Sequence, residues 1–307
     1  MRKINFLLIV AVVFSYTVLP GCNSQTKSRT SVLPKFDEQA HRGGRGLMPE
    51  NTIPAMLDAI DRGVNTLELD LQISKDNKVL VSHDPTFNYL ITTTPEGDTL
   101  TKDESKTRIL YSMDYDSIAK YDVGLKFNPN FPQKKNIPAV KPLLSDLIAQ
   151  SEAYAKTKGK TMLYNMEIKT SGEKGDGVMH PYIPEFVDMA IKVITDGGVR
   201  ERTTIQSFDT RALVYLHQKY PDVIASYLIG KKENRPMKEL FDALGFIPDV
   251  LSPDYVIVTP EMIADCHAMG VKVLPWTVND AAEIKRLKDM GVDGIITDYP
   301  NLFAEIK

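Results

Sequence analysis

The chain has 307 residues, 43% of them hydrophobic and 25% charged, enough to bury the core of one large domain or two modest ones. A formal net charge of -3 at pH 7 excludes a global basic field for tracking nucleic acid, so anionic ligands must be met by local groups. Two cysteines, Cys22 and Cys266, exclude a disulfide framework.

In chain order, Arg2 and Lys3 precede an apolar run of roughly sixteen residues, short for a spanning helix and suited to the apolar region of an export signal. The run ends in "LPGC", which resembles a lipoprotein signal with an unusual proline. Residues 1–21 are therefore expected to be a cleaved signal peptide, with lipid on Cys22 holding the exported chain to a bacterial membrane at its periplasmic or outer surface. An uncleaved anchor helix is the alternative. Residues 22–35 read as a polar tether and 36–307 as the folded domain.

Beyond the tether, β-rich runs alternate with helical patterns. "EQAHRGG", "TLELDLQI", "MLYNMEIK", "TTIQSF", "IASYLIG", "DVLSPD", "VKVLPWTV" and "GIITDYP" read as strands. Helical spacing lies between them, and several of those segments finish on glycine. This alternation predicts a (β/α)8 TIM barrel, with a doubly wound open sheet as the alternative. A ninth run, "KVLVSHD", follows the second strand after a link too short for a parallel crossover. It must return as an antiparallel hairpin, which sets His83 opposite Glu68 to Asp70.

In "LELDLQI", Leu67, Leu69, Leu71 and Ile73 take one face while Glu68, Asp70 and Gln72 take the other. "NMEIK" repeats the arrangement with Asn165, Glu167 and Lys169. If the apolar faces pack outward against helices, Glu68, Asp70 and Glu167 point into the barrel, where unpaired carboxylates are costly. Three oxygen donors with no cysteine nearby suit a hard cation, Ca²⁺ or Mg²⁺. Half-exposed strands with solvated acidic faces are the alternative.

The stretch "HRGGRGLMPENT" follows the first strand. Gly43, Gly44 and Gly46 would let a phosphate approach the backbone, and Arg42 can bind two phosphate oxygens at once. Pro49 is expected to begin the next helix, with Glu50 and Asn51 in its first turn.

Taken in order, "HRGGRGLMPENT", "ELDLQISKDNKVLVSHDP", "NMEIK", "QSF", "PWTVN" and "GVDGIITDYP" resemble the glycerophosphodiester phosphodiesterase family across residues 37 to 307. The resemblance implies a (β/α)8 barrel that hydrolyses glycerophosphodiesters to sn-glycerol 3-phosphate and an alcohol with a divalent metal, Ca²⁺ in preference to Mg²⁺. It implies His41 and His83 as the acid and base pair, and Glu68, Asp70 and Glu167 as metal ligands. Arg42 and Lys169 would hold phosphate, Glu50 would support the site and Trp276 would line the substrate pocket. An insertion at residues 85–141, after the second barrel strand and its hairpin, would form a lid or pocket wall.

Two histidines with ordinary pKa values near 6.5 can divide the proton transfers at neutral pH, one neutral and one protonated. Attack by the glycerol 2-hydroxyl, giving a cyclic phosphate, and direct attack by water both remain open. Two other functions also remain: cleavage of lysophospholipids or sphingolipids on the same barrel, and non-catalytic capture of phosphodiesters.

Several residues have structural readings instead. His180 reads as a solvated loop residue, His217 and His267 as helix-face residues, and Cys266 as a small apolar helix residue. Trp276 could be core, and Asp298 could face the site or cap the next turn.

Overall fold

A computed structural model describes residues 29–306. The signal peptide, the lipid attachment at Cys22 and the first part of the tether lie outside the described residues. Among the described residues, no helix is long and apolar enough to cross a membrane.

The strands are β1 (Asp37–Ala40), β2 (Thr66–Ile73), β3 (Val79–Val81), β4 (Leu163–Ile168), β5 (Thr203–Ser207), β6 (Ile224–Ile229), β7 (Val250–Pro253), β8 (Lys272–Val273) and β9 (Gly294–Thr297). Hydrogen bonding follows the order β8-β7-β6-β5-β4-β2-β1-β9, with β3 paired to β2 alone. Every step along that path is parallel. The two ends meet through backbone bonds from Asp293 N to Val273 O (2.9 Å), Ile296 N to Pro275 O (3.0 Å) and Val278 N to Ile296 O (3.0 Å). The sheet is therefore a nearly closed barrel of eight parallel strands, and the open-sheet alternative falls away.

Alternation within β2 sets its orientation. Leu67, Leu69, Leu71 and Ile73 are fully buried in the layer between strands and helices. Each such side chain contributes about 1.5–3 kcal/mol by leaving water. Glu68, Asp70 and Gln72 are buried on the opposite, inward face. The hairpin has the expected direction: β3 runs antiparallel with Leu71 opposite Val81 and Ile73 opposite Val79. Continuing that register brings His83 level with Leu69, between the two acids.

The helix after β1 starts later than the sequence suggested. It spans Ile53–Arg62, and Thr52 caps it by accepting from Ala55 N. Pro49 and Glu50 belong to the preceding loop, and Asn51, at φ 57°, has a left-handed backbone incompatible with a first helical turn.

Residues 85–141 build a small satellite beside the barrel. Phe87, Ile91, Leu100, Leu110, Ile118, Tyr121 and Val123 form a separate apolar cluster around Leu80 of β3, and the rings of Phe87 and Tyr121 stack at 4.1 Å. Lys141 returns the chain to the barrel, donating from its buried ammonium to Ser82 Oγ at 2.7 Å.

His180 is completely buried rather than solvated. Its Nε2 accepts from Ser171 N at 2.9 Å, and its Nδ1 lies 2.8 Å from Pro181 O. Gly175 makes room for the ring, since a Cβ there would lie 2.6 Å from Nε2. His217 stacks on Phe246 and His267 pairs with Asp293, as helix-face residues do. Cys266 is fully buried, and burial pushes its thiol up to about 12, leaving it a small apolar residue.

Candidate active site

The site begins where β1 ends. Arg42, Gly43 and Gly44 all have positive φ (51°, 78° and 90°), turning the chain sharply across the C-terminal mouth of the barrel. This turn aims Arg42 N at Glu68 Oε2, 2.7 Å away. The guanidinium, itself buried, lies 3.1 Å from Glu50 Oε1 and 3.2 Å from Asp70 Oδ2. Asn51 stitches the far end of the loop to β2, donating to Asp70 Oδ2 at 2.8 Å and accepting from Asp70 N at 3.1 Å.

Gly43 cannot be replaced without moving this turn, because a Cβ there would sit 2.8 Å from Ala55 Cβ. Left-handed strain and overpacking together are expected to make Gly43→Ala destabilising by roughly 2–5 kcal/mol, measurable by urea denaturation. A loss below about 1 kcal/mol would contradict this packing.

Glu68, Asp70 and Glu167 each offer an oxygen, and these oxygens lie within 4.8 Å of one another. Adjacent strands bring them together, with Asp70 and Glu167 directly paired across β2 and β4. Asp70 Oδ1 is buried and accepts no hydrogen bond, while Lys169 Nζ sits 2.9 Å from Glu167 Oε1. An orphaned buried acceptor among three converging carboxylates matches the donor set of a hard divalent cation.

Electrostatics in the metal-free protein agree. Burial, then the charges of Asp70 and Glu167, raises Glu68 well above the usual carboxylate range. Burial likewise pushes Glu167 from 4.5 to about 7 against the pull of Lys169. Asp70 is also buried, but Arg42 and the other surrounding cations hold it below its ordinary value.

An unfolded Glu167 ionises near 4.5, whereas the folded side chain keeps its proton until about 7. The metal-free fold therefore loses stability as pH rises through that window and levels off above it. Asp37, pushed by burial from 3.8 to about 6, and Glu68, also raised by burial, contribute with the same sign and together outweigh His41, whose lowering by burial from 6.5 to about 4 acts in the opposite sense up to about 6.5. In chelator, the thermal midpoint is expected to fall between pH 5 and pH 7 and to be restored at pH 8 by added Ca²⁺. A midpoint that rises across this interval, or ignores the cation, contradicts the arrangement.

Both imidazoles are anchored through Nδ1, which leaves Nε2 as the nitrogen for chemistry. His41 Nδ1 lies 2.6 Å from Asp298 Oδ1, and His83 Nδ1 lies 2.8 Å from Asp84 Oδ1. Asp298 also accepts from Arg45 Nε and from Asn279 Nδ2, both at 2.7 Å. It thus faces the site, and despite its burial the charges of His41 and Arg45 hold it well below the carboxylate range. Burial lowers His41 to about 4, outweighing the opposite pull of Asp298.

A cavity of about 110 Å³ joins these groups, lined by His41, Arg42, Glu68, His83, Glu167 and Lys169. Its far wall contains Phe208 and Trp276, whose rings meet edge-on at 5.5 Å. Trp276, among the residues lining this cavity, donates from Nε1 to Ser252 O at 2.9 Å. Glu50 supports Arg42 from behind. The insertion walls no part of this cavity, contrary to expectation. It braces the rim instead, with Phe131 4.8 Å beneath the guanidinium of Arg45.

Sequence reasoning had not singled out Arg45, Asp84, Gln206 or Asn279, and had given Asn51 no role at the acids. Each falls inside a motif already noted; Asp84 pairs with the adjacent His83, while the other four find their side-chain partners in distant segments.

A buried nest of acids and cations at the open end of a parallel barrel, with two carboxylate-anchored imidazoles at its edge, places the chain among the (β/α)8-barrel hydrolases. Residues 41–302 match the glycerophosphoryl diester phosphodiesterase family, and the chain belongs to that family as an enzyme. It is similar to a glycerophosphodiester phosphodiesterase of Caldanaerobacter subterraneus subsp. tengcongensis, 32% identical over 269 residues covering 87% of this chain and 96% of the relative. A glycerophosphodiester phosphodiesterase of Bacillus subtilis is 28% identical over 318 residues, covering 100% of this chain and 99% of its own. Among solved structures, a glycerophosphoryl diester phosphodiesterase from Silicibacter pomeroyi superposes with a TM-score of 0.79 at 28% identity, covering 89% of this chain and 93% of that one.

Proposed function

We propose that this enzyme hydrolyses glycerophosphodiesters to sn-glycerol 3-phosphate and an alcohol, with a divalent cation held by Glu68, Asp70 and Glu167. The observation that carries the reading is the acid triad: Glu68 and Glu167 line the same cavity as two carboxylate-anchored histidines, and Asp70, with its orphaned oxygen, converges on them within 4.8 Å. A bound cation would neutralise charge on the phosphate. Three carboxylates favour Ca²⁺ over Mg²⁺, which more often takes one or two together with waters.

Arg42, against Asp70, and Lys169, against Glu167, both line the cavity and orient the phosphate. His41, held neutral by burial, accepts the proton of the attacking hydroxyl as its oxygen bonds to phosphorus. His83 gives its proton to the departing alcohol oxygen as the other P–O bond breaks. The attacking hydroxyl is the glycerol 2-OH in one route and water in the other, and capture of a cyclic glycerol phosphate separates them.

A second reading, cleavage of lysophospholipids, is favoured by Leu125 and Phe127, exposed on the insertion at 49% and 56%. Attachment to a bacterial membrane through lipid on Cys22 belongs to the same proposal and rests on the N-terminal sequence. Incubating the purified protein with glycerophosphocholine, glycerophosphoethanolamine and lysophosphatidylcholine, with and without chelator, tests the two substrate readings, the first two substrates read as glycerol 3-phosphate and the third as lysophosphatidic acid. Release of glycerol 3-phosphate that stops with chelator is expected. Release that survives chelation, or binding without release, would overturn the proposal.

A further inference from the structure

A chain of side-chain amides crosses the barrel interior beneath the acids. Gln206 on β5 donates from Nε2 to Glu68 Oε1 at 2.7 Å. Its Oε1 accepts from Asn165 Nδ2 on β4 at 3.0 Å, and the same Nδ2 donates to Gln39 Oε1 on β1 at 2.8 Å. Gln39 then donates from Nε2 to Asp37 Oδ2 at 2.8 Å, while Thr66 donates to Asp37 Oδ1 at 2.6 Å. All six residues are buried.

The direction of this chain is determined. Asn165 presents one amide nitrogen to both glutamines, so each must turn its oxygen inward and its NH₂ outward. With Glu68 and Asp37 ionised, reversing either glutamine would set two acceptors, its oxygen and a carboxylate oxygen, against each other. Glu68 receives Gln206 on one oxygen and Arg42 N on the other, so both its oxygens are fixed in rotation.

We propose that Gln206, oriented through Asn165, is a positioning residue that fixes the rotation of the Glu68 carboxylate and so sets the affinity and selectivity of the cation site. The inference rests on the metal site proposed above. Hydrogen-bond partners of ligating side chains commonly govern metal affinity by about 10–100-fold. Mg²⁺ demands near-ideal octahedral geometry, whereas Ca²⁺ tolerates irregular shells. A loosened Glu68 therefore penalises Mg²⁺ more.

The test is calorimetric titration of the folded protein with Ca²⁺ and Mg²⁺ separately, comparing the parent with Gln206→Met and Asn165→Leu. Both substitutions are uncharged and leave all three acids in place, and thermal melts establish that each variant is folded at the titration temperature. Expected for Gln206→Met is a loss of about 10–100-fold in cation affinity, larger for Mg²⁺ than for Ca²⁺. Asn165→Leu should lose affinity in the same order but by less. A lowered melting temperature with unchanged affinities would show a role in the fold alone and overturn the inference. Failure of the parent protein to bind either cation would remove the metal reading itself. Should Gln206→Met prove unfolded, Asn165→Leu alone decides, with unchanged affinities overturning the inference.

Discussion

Replacing His41 or His83 with asparagine is expected to slow glycerol 3-phosphate release by roughly 10²–10⁴-fold with little change in KM. Asparagine can still donate toward the anchoring carboxylate, Asp298 or Asp84, but has no group that exchanges a proton near neutral pH. The two variants should then diverge. If His83 protonates the leaving oxygen, a glycerophosphodiester of p-nitrophenol, whose leaving group needs no proton, should recover most of the loss in His83→Asn. It should recover little in His41→Asn, because the attacking hydroxyl still lacks its base. Recovery confined to His41→Asn would exchange the two roles. Unchanged turnover in either variant would remove that histidine from the chemistry.

Glu167→Gln is expected to separate stability from function. In the metal-free state the Glu167 carboxylate is unfavourable, since burial pushes it up to about 7 even with Lys169 at 2.9 Å. A neutral amide keeps an acceptor for Lys169 while easing repulsion with Asp70 and Glu68. With chelator present at pH 8, the variant should therefore melt at or above the parent's temperature. With Ca²⁺ present the order should reverse. Losing one of three buried charges around a cation removes roughly 3–5 kcal/mol, or about 10²–10⁴ in cation affinity, and turnover should fall with it. Calorimetry and melting curves on the same samples check both halves. A variant destabilised in chelator, or one that keeps its Ca²⁺ affinity, contradicts the geometry of the acids.

Much of this arrangement was legible in the chain because strand periodicity is local. Alternation in "LELDLQI" and "NMEIK" is enough to turn Glu68, Asp70 and Glu167 inward once the strands belong to a barrel. The short link at residues 74–78 likewise dictates the hairpin that returns His83. Sequence was less informative where a partner arrives from far along the chain. The sequence around Asp298 fits two roles, and nothing local shows its three contacts with His41, Arg45 and Asn279. The helix start was misplaced because Pro49 and Pro54 both fit an opening position, and only the left-handed Asn51 decides between them. A polar loop seldom signals that it will bury one of its own rings, so the sequence around His180 reads as solvated. The insertion has its own apolar cluster, so its length suggested a lid while its packing makes it a brace behind Arg45.

Acids from β2 and β4 are proposed to grip one shared cation. Anomalous diffraction from crystals soaked in Mn²⁺, an oxygen-preferring scatterer, tests it most directly. A single strong peak about 2.0–2.6 Å from oxygens of Glu68, Asp70 and Glu167 is the result expected. No peak there, or one confined to acids outside the cavity, would contradict it.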